Sequence, residues 1–260
     1  MQRIAISLLL LAAPTAQAAS AMCQGIDPAL NCESLFTPIP PPTKIITKVG
    51  KVKHAKVAHS DMMDIEFTGV VLEDVTPAWL AKAKAKYAGR FSKLAELERA
   101  NGFPEGTLRT MWVIESMCGE LNIRNKSNHD GHFQFGEFEQ KKFNLINPFD
   151  FDQASNAVPK LLKDYHDQFH VYSKAPVAWS KRSMADWYML HQQGFMGSAT
   201  QYNAVMFGDK LLPRVRKNIE GNVARQYRKA ISPGISDRDL TIFFYRMWEH
   251  EMDRIWSAIK

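Results

Sequence analysis

The sequence predicts a mostly α-helical protein with one small irregular or β-like insert. Three observations carry that expectation. Apolar residues recur at spacings of three and four over most of the chain from residue 77 onward. Helix-start and helix-stop residues punctuate those stretches, as at Thr76-Pro77, Asn101-Gly102 and Ser236. Residues 122–136, by contrast, are polar and Gly-containing, with only "HFQF" alternating. A chain of 260 residues, 45% hydrophobic and 23% charged, is long enough to bury a core.

Residues 1–21, MQRIAISLLLLAAPTAQAASA, join one arginine, an apolar run from Ile4 to Ala13, Pro14 and small residues in an AQA/ASA pattern. That is the layout of a secretory signal peptide, cut after Ala18 or Ala21. No later segment approaches the roughly 20 apolar residues of a transmembrane helix. The expected location is therefore exported, in the periplasm or cell envelope, with secretion as the alternative. Met22 stands where a lipoprotein would carry a small residue, which argues against lipidation of Cys23. An oxidising compartment is compatible with a Cys23–Cys32 bridge, with two unpaired thiols in the arm as an equal alternative, and either way leaves Cys118 alone.

Residues 22–75 read as an arm or linker, with the rigid "TPIPPPT" and then Lys44, Lys48, Lys51, Lys53 and Lys56. Within it, "DIEFTGVVLEDV" alternates as a short strand would. A second basic group comprises Lys210, Arg214, Arg216, Lys217, Arg225, Arg228 and Lys229. The formal net charge is +6. In an exported chain such clusters point away from nucleic acid and toward anionic envelope polymers or a membrane surface, although each reads first as a solvated face.

Thr76-Pro77 opens an amphipathic helix of about six turns through Leu80, Ala83, Tyr87, Phe91, Leu94 and Leu97, ending near Asn101-Gly102. Pro104 can open the next. Further helical patterns fall at 152–170, 183–193, 198–206 and 209–230. A final helix follows the Ser236 cap, with Leu240, Phe243, Phe244, Met247, Trp248, Ile255 and Ile259 on one side. Phe133 and Phe135 read as core, and Gly131, Gly194 and Gly197 as turn-setting residues.

The helix after Pro104 contains "LRTMWVIESMCGEL", in which Glu115 shares a stripe with Leu108, Met111 and Trp112. A carboxylate in apolar surroundings has its charged form disfavoured, so it can hold a proton near neutral pH and give it away. The structural alternative is a glutamate satisfied by backbone amides or by an arginine such as Arg109.

The order of features decides between them. Gly102-x-Pro104, Leu108, Glu115-Ser116, Ser127, Gly131-His132-Phe133-Gln134-Phe135, Asn147-Pro148 and Tyr188-x-x-His191-Gln192-Gln193-Gly194 follow one another along residues 95–206. That succession resembles the lytic transglycosylases of the soluble-lytic-transglycosylase type, in the phage-like branch with a His-Gln-Gln-Gly segment. The resemblance implies a lysozyme-like α+β fold over residues 76–206, with residues 207–260 as a helical extension, and cleavage of peptidoglycan glycan strands without a cofactor or metal. It implies that Glu115 protonates the bond between N-acetylmuramic acid and N-acetylglucosamine while the substrate's acetamido group supports the anomeric carbon, and then acts as base on the muramoyl 6-hydroxyl. Gln134, Tyr188, Gln192 and Gln193 would hold the sugar, and Ser116 would orient the glutamate or its helix end.

The chain departs from the family at His129 and Asp130, where small residues are usual, and at His132, where an apolar residue is usual. Asp130 is the candidate second carboxylate of a lysozyme-type hydrolase, but Asp-Gly is an ordinary turn sequence and the turn reading is favoured, so 1,6-anhydromuramoyl ends are expected. A non-catalytic wall-binding scaffold of an envelope-spanning assembly is the alternative from another class. His166 and His170 approach a zinc-protease spacing, but Asp167 replaces the needed glutamate, and they read as surface histidines.

Overall fold

The computed structural model describes residues 67, 69–227 and 234–260. The signal segment, the Cys23–Cys32 pair, the Pro- and Lys-rich arm, Arg228 and Lys229 lie outside the described residues. Among those described, the regular structure is helical: α1 Pro77–Lys86, α2 Ala88–Asn101, α3 Thr107–Ser116, α4 Glu137–Lys142, α5 Phe151–Tyr172, α6 Met184–Phe207, α7 Pro213–Tyr227 and α8 Asp237–Ile259. None is long and apolar enough to cross a membrane.

The single long helix expected from residue 77 is two. Thr76 caps α1, accepting from the Trp79 amide at 3.2 Å, and Pro77 sits at its first position. Tyr87 then leaves helical geometry at φ −114°, ψ 28°. Its ring packs edge-on against Trp112 at 5.8 Å and its hydroxyl donates to Glu120 at 3.4 Å. Tertiary contacts thus override a continuous helical pattern. Gly102 ends α2 in the left-handed conformation at φ 70°.

The next helix starts at Thr107, three residues beyond Pro104, because Glu98 supplies its cap. Glu98 is buried and accepts from the amides of Gly106, Leu108 and Arg109 at 2.8–3.0 Å, and from the Arg109 guanidinium at 2.8 Å. A carboxylate here satisfies the open amides of a helix start and complements its positive end.

No strand forms among the described residues. The alternating run near residue 70 is a strap: Phe67, Val71 and Val75 are buried, and the amides of Val71 and Leu72 donate to Glu251 of α8 at 3.4 and 3.2 Å. Its apolar residues recur every four positions, which suits one-sided packing on a helix and not a pleated face. The insert between α3 and α4 contains only an isolated Asp130–Phe135 bridge amid turns.

α6 is the spine. It packs on α3, α5, α7 and α8, and α8 also lies against α1 and α3. The patterns at 183–193 and 198–206 form one helical element interrupted at Gly194, whose φ 66°, ψ 172° is outside helical geometry. Ser183 opens it with a capping box to Asp186. Ser198 donates to the Met189 carbonyl at 2.8 Å across the interruption. Gly197, read as a turn residue, is helical. The last helix starts at the Ser236 cap, and Leu240, Phe244, Met247, Trp248, Ile255 and Ile259 are buried as the pattern predicts, with Phe243 partly buried against Phe67.

Candidate active site

Glu115 lies in the last turn of α3, and the local sequence ends the helix abruptly just behind it. Met117, Cys118 and Gly119 all take positive φ, at 47°, 57° and 85°. Ser116 pivots this reversal. Its hydroxyl donates to the His132 carbonyl at 2.9 Å and accepts from the Gly119 amide at 3.1 Å, while its own carbonyl accepts from Gly119 and Leu121 at 2.9 Å. Ser116 therefore fixes the helix end carrying Glu115 to the following segment, and its hydroxyl points into protein. Cys118 is a buried free thiol whose pKa burial pushes up to about 12.

A glycine is required at 119 because a Cβ there would collide with the His132 ring. That ring is 3% exposed and accepts from Trp112 Nε1 at 3.1 Å, with Phe151 edge-on at 5.4 Å. Desolvation holds its pKa down at about 4, so it is neutral at physiological pH. His132 thus fills an apolar position as a neutral aromatic ring, which accounts for the departure at that residue. Phe133 and Phe135 are core, as expected.

Around Glu115 stand residues of α6. The Tyr188 hydroxyl interacts with the carboxyl, and His191 Nε2 is 3.8 Å from Oε1. Tyr188 is buried against Trp248, with ring centroids 4.9 Å apart. Gln192 donates to the Tyr188 hydroxyl at 3.4 Å, Gln193 donates to Gln192 at 3.2 Å, and Asn218 donates to Gln193 at 3.3 Å. A chain of amides therefore runs from Tyr188 to α7.

The electrostatics follow from what is missing near Glu115. Its side chain is 16% exposed, and among the described residues no lysine or arginine pairs with it. Desolvation raises its pKa from the ordinary 4.5 to about 7, against a smaller lowering by the Tyr188 hydroxyl. His191 gives no compensating charge, because desolvation lowers its own pKa to about 4. Two other glutamates on apolar helix stripes are treated differently: Glu98 has Arg109 and three amides, and Glu251 has Arg254 and two. Arg109, the structural partner considered for Glu115, is thus engaged elsewhere.

The remaining expected site residues are placed as follows. Gln134, at φ 51°, donates its amide to the carbonyls of Gly131 and Ile123 at 2.8 and 3.2 Å. It braces the insert. Asp130 is 2% exposed and takes a two-pronged ion pair from Arg124 at 2.7 and 2.8 Å, plus the Gln140 amide at 3.1 Å. The Arg124 bond holds its carboxyl below the usual range. Gly131 must be glycine, since a Cβ would strike the Pro148 carbonyl.

His191 is the site residue that sequence reasoning gave no role, although its position three residues after Tyr188 puts it on the same helix face. His166, read as a surface residue, is 7% exposed and accepts from Arg182 Nε at 2.8 Å. Among the described residues no three His, Cys, Asp or Glu side chains converge as a metal site would need. A cavity of about 320 Å³ is not lined by Glu115 and belongs to a different face of α6. No protein-family model, no curated protein and no solved structure matches this chain.

Proposed function

We propose that this chain is an exported lytic transglycosylase with a lysozyme-like catalytic domain, cleaving peptidoglycan glycan strands between N-acetylmuramic acid and N-acetylglucosamine. The observation that carries the reading is Glu115: a carboxyl at a helix end, paired with no lysine or arginine among the described residues and held near pKa 7 beside Tyr188 and His191. Such a group is about half protonated at neutral pH, so it can serve first as acid to the leaving oxygen and then as base to the 6-hydroxyl. Tyr188 orients the carboxyl, and Gln192 and Gln193 offer amides to the sugar. Ser116 and Gln134 act one step back, by fixing the helix end and the insert.

The engagement of Asp130 by Arg124 and Gln140 favours ring closure over hydrolysis, because a carboxylate locked in an ion pair has little basicity left to activate water. The test is turnover of dye-labelled peptidoglycan by Glu115→Gln, which keeps shape while removing the titrating proton. Loss of turnover in a folded variant is expected; unchanged turnover overturns the assignment. Mass spectrometry of the wild-type digest then separates 1,6-anhydromuramoyl ends from reducing ends by one water. Reducing ends that vanish in Asp130→Asn would identify a hydrolase instead.

A further inference from the structure

On the face of α6 turned to α5 and α8 lies a cavity of about 320 Å³, at the lower end of the range for small-molecule sites. Phe169, Val177, Met189, Val205 and Ile242 supply apolar wall. Arg182 and Gln201 also line it, although they are only 6% and 5% exposed.

Both keep an unused donor. Arg182 spends Nε on His166 and lays its guanidinium over the Phe169 ring at 4.4 Å, yet Nη2 is buried with no hydrogen-bond partner among the described residues. Gln201 Nε2 is likewise buried and unpartnered. Asp186, which also lines the cavity, directs its carboxylate to the amide and hydroxyl of Ser183 at 2.7 and 3.0 Å, and acts on Arg182 only as a charge at a distance. A buried cation without a bonded anion, and a buried amide donor without an acceptor, are each costly.

We propose that this cavity is a second binding site, for a small amphipathic carboxylate whose apolar body fills the pocket and whose head accepts from Arg182 Nη2 and Gln201 Nε2. A guanidinium suits a planar two-oxygen head, and the aromatic and aliphatic walls suit a hydrocarbon body. A cationic head would meet Arg182 and the neighbouring Lys181, against the single carboxylate of Asp186, which is already bonded to Ser183.

The probe is octanoate, titrated calorimetrically into the full chain, with 1-octanol and octylamine as head-group controls. Octanoate is expected to bind and raise the melting temperature, 1-octanol to bind about tenfold or more weakly, and octylamine not at all. Gln201→Leu removes one donor and is expected to weaken octanoate by about tenfold. Val205→Trp, which fills the cavity, is expected to abolish binding. These variants leave Arg182 stacked on Phe169, so they avoid the folding risk of replacing the arginine. Absence of octanoate binding overturns the proposal, including the case in which another segment of the chain occupies the cavity. Equal affinity for octanoate and octanol, or binding untouched by Val205→Trp, overturns it as well. Glu115→Gln should keep the octanoate affinity, so this outcome is separable from the reading of the Glu115 site.

Discussion

Glu115→Gln should stabilise the protein at alkaline pH and not at acid pH, whatever the substrate. The unfolded chain releases the Glu115 proton near 4.5, whereas the folded protein keeps it until about 7. Between those values the folded state binds more protons, so stability falls as pH rises through the window. The cost of the buried charge is absent below 4.5 and complete above 7. At about 1.4 kcal/mol per pH unit, the gap corresponds to about 3 kcal/mol. Glutamine removes this pH-dependent cost and adds only a constant one. The stability difference between variant and wild type should therefore shift by about 3 kcal/mol in the variant's favour from pH 4 to pH 8. In a chain of this size that is about 6–12 °C of melting temperature. Calorimetric melts of both proteins across the range supply the assay. His132, His166 and His191, held neutral with pKa values near 4, cost stability as pH falls from 6.5. That acid lability is common to both proteins and cancels in the difference. A difference flat from pH 4 to 8 would refute the raised carboxyl, and with it the proton donor.

Three further perturbations address the frame that holds the site. Glu98→Ala leaves the Arg109 guanidinium and the amides opening α3 without their shared acceptor, and should cost about 3–5 kcal/mol in urea unfolding; a cost below 1 kcal/mol would refute the cap. Gly194→Ala puts a side chain at φ 66°, ψ 172° and should cost about 1–3 kcal/mol. It should also slow the proposed wall cleavage, since Gln192 and Gln193 precede the break, and unchanged melting would show that the break tolerates a Cβ. Truncation after Gly234 removes α8 with its buried Phe244, Met247, Trp248 and Ile255, at about 1.5–3 kcal/mol each. Against a typical total of about 5–15 kcal/mol, the shortened chain should lose its cooperative melt, and a preserved transition would refute the packing role.

Much of the fold is legible because helix signals are local. Thr76-Pro77, Ser183 and Ser236 cap where their side chains can reach an amide three residues on, which needs no tertiary information. The departures occur where distant residues intervene. Tyr87 leaves the helix to meet Trp112 and Glu120, and the start of α3 is set by Glu98 from the preceding helix. The run from Phe67 to Val75 has strand-like composition, but its amides go to Glu251, 179 and 180 residues away. Propensity favours an extended chain there, and the available acceptor decides what it pairs with.

The candidate site shows the same division more sharply. Glu98 follows Phe91 and Leu94 on the apolar stripe of α2, Glu115 follows Leu108 and Met111 on that of α3, and Glu251 follows Phe244 and Met247 on that of α8. In sequence the three carry one signal, an acid at a core position. Their chemistry diverges through partners that only folding supplies: Arg109 and an unfinished helix start for the first, Arg254 and a strap of backbone for the third. Glu115 receives a tyrosine and a neutral histidine instead. A buried acid without a bonded cation keeps its proton to higher pH. The stripe identified Glu115 as buried, but it is the lack of an arginine opposite it among the described residues that separates a carboxyl which keeps its proton from one that caps a helix.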